Sequence, residues 1–267
     1  MKVNRIVSIA FLFVVLGISG LGAQSSLKGM SANGSTGLYS IPSGRIGWER
    51  SSDLGLDLGY HAVIYEKKAS HIPKMALSLF KWVELNAVFD IQPKGNNDKE
   101  TDFITGAKIQ FPLKNTALAL GGNFQSLNIG SSDYFHYRAG QIYVAVTYSG
   151  RFFDMPAETT VVFGKTFRQY HSDSNIDFGM GFDMILLPTY LENIVHWVTD
   201  FANFSYSVGT ISADSYYRGV INTGLRIDLS AIPALNKFKF IIDILMTDAF
   251  DKNRAFSIGA VFGIPIL

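Results

Sequence analysis

Val83-Glu84-Leu85-Asn86-Ala87-Val88-Phe89-Asp90-Ile91 places an apolar side chain at every odd position and Glu84, Asn86 and Asp90, with Val88 among them, at the even ones. Phe178–Leu186 repeats the pattern, with Phe178, Met180, Phe182, Met184 and Leu186 opposed by Gly179, Gly181 and Asp183. Successive side chains of a β-strand point to opposite faces, so each stretch is a strand with one oily face and one polar or small face. Five more segments alternate as cleanly: Leu54–Ile64, Ile142–Tyr148, Ile221–Leu229, Phe238–Met246 and Phe256–Ile264. In a soluble sandwich the oily face looks inward, whereas in a membrane barrel it looks outward into lipid.

Working outward, the same rhythm predicts twelve strands: 54–65, 73–80, 83–92, 102–111, 116–126, 139–149, 157–168, 176–186, 194–207, 217–229, 237–247 and 254–264. Most have the roughly 9–11 residues that a tilted strand needs to cross a bilayer. The eight prolines are expected outside strand interiors, because proline cannot donate to a sheet ladder. Lys165 falls on what should be the apolar face of its strand, and the apolar face of 194–207 switches from Val195 and Trp197 to Ala202, Phe204 and Tyr206. A one-residue bulge near 200–203 is the expected cause of that switch.

Composition agrees. Charged residues are 17% of the chain, below the quarter or so of ordinary soluble domains, while aromatics are 13% and glycines number 25. A net charge of +1 gives no reason to expect nucleic acid. Met1-Lys2-Val3-Asn4-Arg5, the apolar run Ile6–Ile18 and the small residues before Gln24 have the layout of a secretory signal peptide over 1–23. With no cysteine there is neither a disulfide framework nor a lipid-modified cysteine. The division is therefore a signal peptide (1–23), a segment 24–53 and an all-β unit 54–267. The last is expected to be a closed antiparallel transmembrane β-barrel in the outer membrane of a diderm bacterium. Its expected surroundings are outer-membrane lipid, including lipopolysaccharide or an equivalent, and it would arrive there through the barrel-insertion machinery. An even strand count returns both termini to the periplasm, where Phe80, Trp82, Phe111, Tyr148, Phe152, Tyr190, Trp197 and Phe238 would form an interfacial girdle. Residues 24–53 read equally as a further short strand, a periplasmic lead or a segment tucked into the pore.

If the oily face meets lipid, the lumen is lined by Asp57, His61, Glu84, Asn86, Asp90, Lys108, Asp183, Arg226, Asp228, Lys239 and Asp243, together with Gln110, Asn123, Gln125, Asp177 and Asn222. Charges turned to lipid near the midplane would cost several kcal/mol. Such a lumen is either a paired, hydrogen-bonded filling or a narrow acidic passage for a small hydrophilic solute, with a small, mildly cation-preferring conductance. Enzymatic signals are weak. His171-Ser172-Asp173 sits where a barrel hydrolase would hold a nucleophile and base, but polar loops commonly carry such triplets. Asp173–Asp177 imitates the start of a calcium loop without its sixth-position glycine. The five histidines have no paired metal-ligand spacing, so no catalytic residue, metal or cofactor is assigned. A secreted or periplasmic β-sandwich that binds a ligand is the competing architecture, and a barrel hydrolase the competing activity.

Gly37-Leu38, Ile41-Pro42-Ser43 and Arg45, followed by Leu56-Asp57-Leu58-Gly59-Tyr60, resemble the opening of the YjbH-like outer-membrane barrel proteins, a family linked to exopolysaccharide production. The resemblance covers about a tenth of the chain. It implies a non-enzymatic envelope barrel that assists export of exopolysaccharide. Two departures stand out: family members are often longer, and many carry a lipid-anchoring cysteine that is absent here.

Overall fold

The computed structural model describes residues 28–49, 52–66, 68–94, 98–129, 137–169, 175–204, 219–252 and 254–266. The triplet His171-Ser172-Asp173, residues 1–23 read as a signal peptide, and Tyr206 lie outside them.

Twelve strands follow one another as an antiparallel meander: β1 (Leu54–Tyr65), β2 (Lys68–Leu79), β3 (Val83–Lys94), β4 (Asp98–Pro112), β5 (Thr116–Ile129), β6 (Tyr137–Phe152), β7 (Met155–Arg168), β8 (Asp177–Ile185), β9 (Val195–Ala202), β10 (Val220–Asp228), β11 (Lys239–Thr247) and β12 (Ala255–Pro265). The sheet closes on itself, β1 pairing with β12 from Gly55↔Pro265 through Ile64↔Phe256. Closure leaves no edge strand to recruit another chain. Both chain ends of the sheet, Leu54 and Pro265, lie at one rim, here the terminal rim; the opposite one is the loop rim.

The oily rows face outward. Leu58 and Phe262, partners across the closing seam, are 51% and 46% exposed. Leu85, Phe89, Leu120, Phe124, Met180, Ile244 and Ile258 are exposed in the same way. Aromatics gather at the terminal rim, where Phe80, Trp82, Phe111, Phe152, Tyr190, Trp197 and Phe238 are all exposed. Two connections at this rim are very tight. Phe80 and Lys81, and then Phe153 and Asp154, take positive φ in succession. Paired positive φ suits a short hairpin turn to the right-handed strand twist, although glycine or asparagine adopts it at lower cost.

Two sequence expectations need correction. Pro73 lies inside β2, opposite Tyr60 of β1. On its other side the β2–β3 ladder skips from His71↔Ile91 to Lys74↔Val88, so the missing N–H falls where no ladder bond is made. No bulge occurs within Val195–Ala202, which keeps one register with both neighbours. The apolar residues Val198 and Ala202 simply point inward, and Phe204 beyond the strand is buried too. The irregularity in register falls instead between Thr101 and Phe103, where β4 meets β5.

Candidate functional site: the filled lumen

An eight-stranded barrel is filled by its own side chains, whereas sixteen or more strands leave a water channel. Twelve strands enclose more space than their inward side chains fill. Residues 28–49 occupy it.

The inner segment starts and ends at the terminal rim. Lys28 pairs with Asp228 at 3.0 Å and donates to Ser230 Oγ at 2.8 Å. A knot of Ser31, Asn33 and Ser35 follows, with Gly34 at φ +85°, a conformation that favours glycine. Asn86 Nδ2 donates to the Asn33 carbonyl, and Lys74 Nζ to the Ser31 carbonyl at 2.9 Å. Bridges Met30↔Thr36 and Gly37↔Pro42 then shape a small hairpin. Its tip reaches toward the loop rim, where Ser40 N donates to Asp200 Oδ2 at 2.6 Å and Ser40 Oγ accepts from Asn222 Nδ2. On the return, Gly44 N donates to Thr147 Oγ1 at 2.8 Å and Ile46 N to Gln110 Oε1 at 2.7 Å. Gly44 must be glycine because a Cβ there would stand 2.2 Å from the Ala117 carbonyl oxygen of the barrel wall.

Charge fixes this path. Glu84 and Lys108 are both 0% exposed and pair at 3.1 Å. Glu84 also accepts from Thr36 N (2.8 Å), Thr36 Oγ1 (2.6 Å) and Gly47 N (3.0 Å), while Lys108 donates to the carbonyls of Thr36 (2.8 Å) and Ser43 (3.2 Å). A buried ion pair is tolerated when its remaining donors and acceptors are satisfied, and here the inner segment supplies those partners. Asp57 accepts from Lys239 Nζ at 2.6 Å and from Trp48 Nε1 at 2.9 Å, with the Lys239 ammonium 5.2 Å from the Trp48 ring centroid. Arg45 pairs with Glu158 at 2.9 Å and with Glu49 at 2.8 Å, and donates to Ser149 Oγ. Arg226 bridges Asp183 (3.0 Å) and Asp243 (2.8 Å), which in turn hold His196 and His61.

Apolar contacts complete the filling. Leu38, Tyr39 and Ile41 form one buried cluster with Val63, Ile72, Val88, Ile104, Tyr143, Val162, Val198 and Leu245 of the wall. Met30 forms a second with Ala76, Ile241 and Val261. Burial holds the Tyr39 phenol well above its ordinary range of ionisation. Val88, the one apolar residue on the even face of the opening stretch, thus has a partner inside the barrel.

The lumen-side residues named from sequence, Asp57, His61, Glu84, Asn86, Asp90, Lys108, Asp183, Arg226, Asp228, Lys239 and Asp243, are all buried within the barrel. The structure gathers Glu84 with Lys108, Asp57 with Lys239, and Asp183, Arg226, Asp243 and His61 into one network; Asp90 stands apart near the loop rim beside Ser70 and Gln92. Sequence reading did not single out Lys74, Glu158, His196 or Asp200 as lumenal. Strand alternation carries the signal for Lys74, His196 and Asp200 once the register is known; Trp48 and the role of Arg45 had no such marker. Among the described residues no group of three or more His, Cys, Asp or Glu is placed to hold a metal ion.

No known protein-family model matches the chain, and no curated protein matches it. Among solved structures the chain is similar to the KdgM porin in complex with disordered oligogalacturonate: TM-score 0.51, 8% identity, covering 77% of this chain and 98% of that one. It is also similar to the outer membrane protein Omp33 of Acinetobacter baumannii, at TM-score 0.43 and 8% identity over 81% of this chain and 100% of that one. At these identities the likeness is one of fold.

Proposed function

We propose that the chain is an outer-membrane β-barrel of a diderm bacterium that works without catalysis, as an envelope barrel whose passage is closed by its own residues 28–49. The single observation that carries this reading is the burial of that segment in the lumen, tied by Glu84, Lys108, Asp57, Lys239, Arg45 and Arg226. The outward rows of Leu, Ile and Phe support the membrane location, because soluble monomers rarely expose a continuous apolar belt.

Any conducting state requires the segment to move. Since both its ends lie at the terminal rim, it leaves toward the side that holds the termini, the periplasm in single-chain barrels. Asp90, Asp102, Asp177 and Asp200 line the loop-rim half, so the opened passage favours small cations or neutral hydrophilic solutes over anions. The resemblance at residues 36–60 supports a task beside exopolysaccharide export.

The test is conductance in planar bilayers. The intact protein is expected to stay closed at low voltage, and a variant lacking residues 28–49 is expected to give steady, mildly cation-preferring steps. A steady open pore from the intact protein, with the segment cross-linked to the wall, contradicts the closed-lumen reading. In cells, loss of secreted polysaccharide on deletion of the protein, restored by the native chain and not by the cross-linked one, supports the export task.

A further inference from the structure

The outer face of β4–β7 carries an open apolar groove of about 580 Å³, lined by Thr105, Ala107, Gly122, Gly140 and the rings of Phe124 and Phe167. We propose that this groove holds one acyl chain of an anionic, phosphorylated outer-leaflet lipid, whose headgroup lies against Lys165 and Arg138. The proposal rests on the membrane reading above.

Three observations carry it. First, the groove is made by omission. A Cβ on Gly140 would come no closer than 3.8 Å to any atom, and one on Gly122 would meet a carbonyl oxygen at 3.0 Å. The fold therefore does not force glycine at Gly140, where a side chain would fill the concavity. Glycine in a strand interior weakens the strand and often marks a close approach by another group.

Second, the groove has a direction. Ala107 is near the middle of β4, and Gly122 near the middle of β5, whereas Gly140 and Phe167 are near the loop-rim ends of β6 and β7. A tilted strand uses roughly 9–11 residues to cross the hydrocarbon. Counting from Phe152 at the terminal rim, β6 leaves the hydrocarbon near Ile142. The groove thus runs obliquely from mid-bilayer to the headgroup boundary on the loop side, as an acyl chain would.

Third, the headgroup end is cationic. Lys165 is the register partner of Ile142 and shares its outward face. Its Nζ donates to the Asn175 carbonyl at 2.7 Å, which leans the ammonium toward the loop rim. Arg138, exposed on the same face of β6 two residues beyond Gly140, adds a second cation. Lys165 and Arg138 thus put two positive charges at the loop-rim end of the groove, where a phosphorylated headgroup finds opposite charge.

The experiment is native mass spectrometry of the full-length protein from phosphatidylcholine vesicles with or without bis-phosphorylated lipid A. Folding is read by heat-modifiable gel mobility and insertion by quenching of tryptophan with brominated lipid. The native chain is expected to retain one lipid A above background and no phosphatidylcholine. Gly140→Leu is expected to remain folded and inserted and to lose that lipid, and Lys165→Gln with Arg138→Gln to lower its occupancy about tenfold. Undiminished lipid A on folded Gly140→Leu overturns the site, as does a lipid-independent dimer that Gly140→Leu abolishes. Absence of quenching in the native chain overturns the membrane reading itself, and the site with it.

Discussion

Glu84 shows how closely a single side chain can tie the wall to its filling. It meets Lys108 on the neighbouring strand and three donors of the inner segment without any exposure to water. Removing one partner of a buried pair leaves the other charge uncompensated, at a cost of about 3–5 kcal/mol. Glu84→Gln should therefore destabilise the barrel by about that amount, and adding Lys108→Met should recover part of the loss. Urea unfolding in micelles followed by tryptophan fluorescence measures both; equal instability of single and double variants would show that the pair does not act as a unit. Leu38, fully buried among wall residues, makes the apolar counterpart. Leu38→Ala should cost about 2–5 kcal/mol by the same measurement, whereas a segment lying in water would lose almost nothing. At this scale the sequence was legible wherever period two applied: an Asp or Lys between two Leu or Ile has only one face to take. Arg45 and Trp48 obey no period, since their segment is neither strand nor helix, and their partners Glu158 and Asp57 are settled only by the closed barrel.

Among the elements, the strands were the easiest to read because alternation leaves one face apolar along nearly the whole length of most of them, Lys165 of β7 being an exception. Failures came where a second demand overrode it. Val198 and Ala202 of β9 are apolar and inward because Leu38 and Ile41 need apolar neighbours, and from sequence that mimics a slip in register. Pro73 is tolerated inside β2 because the ladder to β3 is open beside it. The turns were less legible still, since Phe153-Asp154 carries neither Gly nor Asn although both residues take positive φ. Replacing the pair by Asn-Gly should relieve left-handed strain and stabilise the protein by about 1 kcal/mol. A shift of the urea midpoint to higher concentration is the expected result, and an unchanged or lower midpoint would mean that contacts of the Phe153 ring outweigh the strain.

For the whole molecule, the two apolar sets of the chain answer different solvents. The outward rows lie exposed on the barrel surface, where the proposed membrane would meet them, and a smaller inward set meets residues 30–41 of the protein's own inner segment. Sequence separated the first set cleanly but left residues 24–53 open among three placements, because a short irregular segment has no periodicity to declare its surroundings. The place of residues 28–49 inside the barrel is the physical basis of the closed state proposed above. The absence of cysteine allows a direct test. Ser40 and Asn222 touch inside the lumen, 182 positions apart in sequence, while Leu58 and Phe262 face each other across the closing seam. With Ser40→Cys and Asn222→Cys together, a short bis-methanethiosulfonate, whose two sulfinate groups leave as each cysteine forms a disulfide with the linker, should on intact membranes cross-link the segment to β10 as readily as it links the control pair Leu58→Cys and Phe262→Cys. A control pair that links while Ser40→Cys and Asn222→Cys stay apart would contradict the account, for the segment would then lie outside the barrel.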